Sequence, residues 1–136
     1  MINKVYKDDR LVAIFLESLV DVSETSFFTD DDSPFQVGVI SKLGHEKVQP
    51  HHHNVFDRVI SGTSEFLYVL EGSMEVTIYD VGFQNSEIFR VGLGSGVLLL
   101  GGAHSITFME NTKILEIKQG PYSAEKDKVY LEGHDS

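Results

Sequence analysis

The sequence predicts an all-β protein, and three observations lead to that class. Short segments rich in Val, Ile, Leu, Phe and Tyr recur along the 136 residues, Gly, Asn, Asp and Ser separate them, and no stretch sustains a helical period. Many short strands with turn signals at regular intervals imply a sandwich or a barrel. The length suits one domain with a continuous apolar core, so a single unit over 1–136 is expected, with N-terminal strands in 1–34, the core at about 35–119 and a polar tail at 123–136.

The first strand is expected at 11–17, in the apolar run Leu11-Val12-Ala13-Ile14-Phe15-Leu16. Asp30-Asp31-Asp32 before Ser33-Pro34 has the acidity of a calcium loop, but the further spaced oxygen ligands are missing and a solvated turn is the reading. Strands at 35–42 and 46–53 follow, the second closing on Pro50-His51-His52-His53. Glu71-Gly72-Ser73 separates strands 65–71 and 73–80 tightly enough for a hairpin turn. Asn85-Ser86 before strand 87–92 and Asn111-Thr112 between strands 103–109 and 112–119 are read the same way, with a further strand at 96–100. Antiparallel neighbours are therefore expected to be mostly local. Beyond 123 the chain is polar and mixed in charge, which fits a surface strand or short helical piece and a frayed end.

Composition excludes several function classes. With no cysteine, neither a disulfide framework nor a thiolate zinc site can form, and any metal must be held by imidazole and carboxylate. The charged start and the absence of a long apolar run argue against a signal peptide or membrane span, and a cytoplasmic location is expected. A formal net charge of -10 disfavours nucleic acid and anionic membranes as partners.

Three segments carry candidate chemistry. Side chains alternate across a strand, so His51 and His53 would share a face and His52 the other, either as two ligands of one ion or as a surface histidine cluster. Glu65 shares parity with Leu67 and Val69, so if those face the core its carboxylate starts the strand on the inward side; an outward carboxylate at a strand end is the alternative. Gly94-Ser95-Gly96, Val97 to Leu100 and Gly101-Gly102 lead into His104 at the entrance of the next strand. Alone, His104 reads first as a core histidine satisfied by a backbone carbonyl.

Together and in this order, the three segments resemble the two motifs of the cupin superfamily. The first motif pairs His-x-His with a later Glu and a Gly seven positions beyond it, matched by His51, His53, Glu65 and Gly72. The second ends Gly-x-x-His, matched by Gly101 and His104. The resemblance covers about 35–119 and implies a single jelly-roll β-barrel holding one divalent transition metal ion through His51, His53, Glu65 and His104. Iron, manganese, nickel, zinc and copper all suit that donor set. Several positions depart from the pattern. Eleven residues, 54–64, separate His53 from Glu65 where the family has a shorter turn, Leu99 stands for the motif's proline, Phe108 for its asparagine, and Gly44 falls one position early. The wording Pro34-Phe35-Gln36-Val37-Gly38, Gly62-Thr63-Ser64-Glu65 and Glu116 to Tyr122 is similar to small stand-alone bacterial cupins met near surface-polysaccharide genes.

That resemblance implies a metal-dependent enzyme of isomerase, epimerase or oxygenase type acting on a polar small molecule, such as an anionic sugar or nucleotide-sugar. A non-catalytic binding or sensing module is the alternative, since the fold hosts both; a metal-free structural jelly roll is a third. Self-association into a homodimer is compatible with the resemblance. In strand 112–119, Glu116 and Lys118 share a face with Ile114, either as an outward salt-bridged stripe, the simpler expectation, or lining the barrel. In the second case Lys118 would hold an anionic substrate and Glu116 would move protons. Asp57 and Arg58 are candidate substrate contacts in a 54–64 loop that could close over the site, or a solvated pair in a tolerated insertion. His45 and His134 receive no role.

Overall fold

The structure, a computed structural model, describes residues 1–130. Its ten strands are β1 Ile2–Lys7, β2 Arg10–Leu16, β3 Ser26–Phe27, β4 Gly38–Val39, β5 Glu65–Glu71, β6 Met74–Tyr79, β7 Ser86–Val91, β8 Gly96–Leu99, β9 Ala103–Phe108 and β10 Lys113–Lys118, with one 3-10 turn at Leu19–Asp21. The all-β class is therefore observed. One sheet runs β1-β2-β8-β5-β10, a second runs β7-β6-β9, and β3 and β4 form a small ribbon. Every pairing is antiparallel. Among the described residues no sheet closes into a barrel.

The two larger sheets face each other over one apolar cluster. Ala13, Phe15, Leu67, Val69, Val97 and Leu99 come from the first sheet, and Met74, Val76, Ile78 and Val91 from the second. On the far side of the first sheet, Ile14, Leu16 and Leu98 are covered by Leu19, Phe28, Phe35 and Val37. Strands β2 and β8 are thus buried on both faces, which is why they read as unbroken apolar runs rather than alternating ones. The close approach of β5 to β8 requires Gly96, where an added Cβ would lie 2.7 Å from the Leu67 carbonyl oxygen and 2.8 Å from the Phe66 ring.

Two expected hairpins are instead corners between sheets. Chain reversal at Asn85-Ser86 does pair β6 with β7. Gly72 and Asn111-Thr112, however, each carry the chain from one sheet to the other, because β5 and β10 belong to the first sheet and β6 and β9 to the second. Gly72 takes a φ of 82° there, a left-handed conformation open to glycine. The corners lie side by side: Thr112 Oγ1 donates to the Ser73 carbonyl at 3.0 Å, and Ser73 Oγ donates to Glu110 at 2.9 Å. Sheet neighbours are accordingly distant in sequence, with β2 and β5 both on β8 and β6 on β9, contrary to the mostly local pairing expected.

The N-terminal region holds a hairpin that the sequence reading omitted, β1 to β2 through Asp8 and Asp9, both at positive φ as a primed turn requires. Only Val5 of β1 is buried, so its charged, weakly apolar sequence gave no strand signal. Strand 35–42 shrinks to Gly38–Val39, and 46–53 forms no strand, remaining irregular and exposed. The acidic stretch at Asp30 is a turn, closed by Ser33 N donating to the Asp30 carbonyl at 2.9 Å. The expected frayed end, with His134, lies partly outside the described residues.

Candidate functional site

Register places four polar side chains on the inner face at one end of the sandwich. Across β5 and β10, Glu65 opposes Lys118 and Leu67 opposes Glu116. Opposed residues project to the same side, so Glu65, Glu116 and Lys118 share the face of the buried Leu67. Ile114, opposite Val69, packs against the inner core, while Leu115 and Ile117 are half-exposed. The outward stripe expected for Glu116 and Lys118 is therefore corrected: the stripe that faces out is the apolar one. In the second sheet His104 opposes Ile78, which is buried, so the imidazole also faces inward.

Glu65 and His104 meet across the gap between the sheets. Oε1 of Glu65 lies 3.1 Å from Nε2 of His104, with side-chain exposures of 17% and 30%. The His104 hydrogen bond is the strongest influence holding the Glu65 carboxyl down at about 2, against burial, with further help from a hydrogen bond to Glu116. Glu116 moves the opposite way, its carboxyl raised first by that hydrogen bond to Glu65 and then by burial. The two carboxyls are thus pushed apart in acidity, Glu65 down and Glu116 up, the arrangement that separates an acceptor from a donor. Lys118 Nζ bonds Asp127 Oδ2 at 3.0 Å, which raises its own basicity. Beside this cluster a depression of about 460 Å³ is lined by Ile60, Gly62, Gln119, Pro121, Tyr122 and Asp127. Gln119 accepts from the Ser64 backbone N–H at 2.8 Å, and its buried Nε2 has no partner among the described residues.

The remaining candidates stand apart from this cluster. His51 and His53 lie in the exposed irregular stretch before β5, yet their rings pair edge to face at 5.3 Å between centroids. Nδ1 of His51 donates to the Gln49 carbonyl at 2.7 Å, which leaves the lone pair on Nε2, the orientation a metal-bound imidazole adopts. Arg58 stacks on Phe56 at 3.9 Å, and Asp57 is exposed. Among the described residues no three His, Asp or Glu side chains converge as a metal site. The donor chemistry suits an imidazole and carboxylate site, in two halves: His51 with His53, and Glu65 with His104.

Asp127, Tyr122 and Gln119 were missed by the sequence reading. Asp127 belongs to a polar stretch whose composition signals only surface, and nothing in its spacing points to Lys118. Among the described residues, no helix is long and apolar enough to cross a membrane. Comparison with protein-family models, with curated proteins and with solved structures gave no match. What can be assigned is therefore a class, a two-sheet all-β protein with a carboxylate, imidazole and ammonium cluster at one open end.

Proposed function

We propose that this chain is a divalent-metal-binding cupin, and that its metal site forms when a stretch 43–60, of the same or of a second copy, closes the open side between β9 and β10 to complete a jelly-roll barrel. The observation that carries this reading is the Glu65–His104 contact, which brings the carboxylate of the first cupin-like motif against the histidine of the second. His51 and His53, already paired, supply the other two donors. A metal in that set would act as a Lewis acid toward a hydroxyl or carbonyl or, if iron, activate dioxygen. Lys118 sits at the rim as a cation for an anionic sugar or nucleotide-sugar, and Glu116, its carboxyl raised by the hydrogen bond to Glu65, is the proton carrier.

Elemental analysis of untagged protein tests the metal reading. It should find about one transition-metal ion per chain. His52→Ala should leave that content unchanged, whereas Glu65→Gln should lower it. Failure to take up any of manganese, iron, nickel, copper or zinc would overturn the reading. Lys118→Ala should weaken binding of an anionic sugar without lowering metal content; equal loss of both would make Lys118 a structural residue instead.

A further inference from the structure

Among the described residues, the stretch before β5 is an arm that buries none of its large apolar side chains. Leu43, Val48, Val55, Phe56, Val59 and Ile60 are all exposed, Val55 and Val59 fully. Its side-chain hydrogen bonds and stacking among the described residues are local, such as His51 to Gln49 and Arg58 to Phe56. Six large apolar side chains on an extended stretch are unfavourable in water unless something covers them.

The same chain has two strand edges to fill. Among the described residues β9 pairs with β6 alone and β10 with β5 alone, so both sheets end open on the same side. Phe108, on the inner face opposite Met74, is 53% exposed there, and on the outer face of β10 Leu115 and Ile117 are half-exposed. The opposite side is fastened by Lys7 with Glu87, by Asp8 accepting from the Val81 N–H at 3.0 Å, and by Phe15 stacked on Phe89 at 4.4 Å. Open edges of this kind recruit strands.

Charge and anchoring indicate whose strand it is. Over 41–64 the arm carries Lys42, Lys47 and Arg58 against Glu46 and Asp57, a net of +1 on a chain of net -10. An acidic body therefore attracts the arm. Its start is fixed on the outer layer, where Ser41 N donates to Thr25 Oγ1 at 3.0 Å and Ser41 Oγ donates to the Ser23 carbonyl at 2.9 Å. From there it runs to Ser64 without engaging its own chain's β9 edge.

We propose that the arm, residues 43–60, of one copy adds to the open β9 and β10 edges of a second copy, and that the exchange is reciprocal about a two-fold axis. Resting on the metal reading above, each site then combines His51 and His53 of one chain with Glu65 and His104 of the other. The chain has no cysteine, so single thiols can be introduced cleanly. Sedimentation of the wild type should give twice the chain mass, and Val55→Asp with Val59→Asp should return it to one chain mass. Mixing refolded Val55→Cys and Phe108→Cys chains with a bismaleimide should yield covalent dimers joining one of each. A monomeric wild type, or cross-links formed only within a chain carrying both cysteines, would overturn the exchange. Metal complementation reads the shared site separately. Chains with His51→Ala and His53→Ala, co-refolded with chains carrying Glu65→Gln and His104→Ala, should recover about a quarter of wild-type metal, because half the random dimers are mixed and each holds one intact site of two. Recovery of none, with a metal-loaded wild type, would refute sharing. A metal-free wild type that still cross-links would sink the metal reading and leave the exchange standing.

Discussion

Glu65 is the residue on which the candidate site turns, and its ionisation makes a stability prediction. Its carboxyl is held down from 4.5 to about 2, chiefly by the His104 hydrogen bond. A depressed carboxylate contributes stability that is complete above its unfolded value and lost as pH falls toward the folded one. The wild type should therefore exceed Glu65→Gln by on the order of 1–2 kcal/mol at pH 6, after screening by solvent, with the gap closing between pH 4.5 and 2. Glu116 behaves oppositely: raised first by its hydrogen bond to Glu65, its contribution is present below its unfolded value and lost as pH rises. Removing the Glu65 charge should bring Glu116 back toward an ordinary carboxyl. Urea unfolding at several pH values, with carboxyl NMR titration of Glu116, checks both; a pH-independent gap would show that Glu65 is not ionised against His104.

At the scale of elements, legibility followed burial. Strands β2 and β8 were readable because both faces are covered, and β5 and β6 because one face is, so their apolar residues run on or alternate. β1 was not readable, since Val5 alone carries its burial, and the length read as strand 46–53 has a strand's residues with no strand partner among the described residues. Turn chemistry marked the reversals at Gly72 and Asn111 but could not say whether a chain returns beside itself or crosses to the facing sheet. The two corners, far apart in sequence, meet through contacts such as Thr112 with Ser73, which neither turn encodes alone. For the site, Glu65 and His104 were legible through the order of two motifs, while the inward face of Glu116 depended on the β5–β10 register, which no local pattern encodes. The β5–β8 approach gives the element-level prediction: Gly96→Ala should destabilise by about 1–3 kcal/mol, because its Cβ would meet backbone 2.7 Å away in a packed layer. Chemical denaturation checks this, and a neutral substitution would mean the two strands separate more easily than their packing implies.

Taken as a whole, the molecule is a packed two-sheet body with a projecting arm, and the two should respond differently to change. Residues 54–63 are exposed and contribute nothing to either apolar cluster, so replacing 54–63 by a four-residue turn, with Ser64 kept for its bond to Gln119, should preserve a cooperative thermal transition while returning the sedimenting species to one chain mass. Loss of the folded state instead would place the arm in the core. The most direct test of the central claim is anomalous diffraction at the metal edge from crystals of metal-loaded protein. The account predicts one strong peak per site, bonded at about 2.0–2.2 Å to Glu65, His104, His51 and His53. A peak held by the His51-His52-His53 run alone, or no peak between Glu65 and His104, would contradict it.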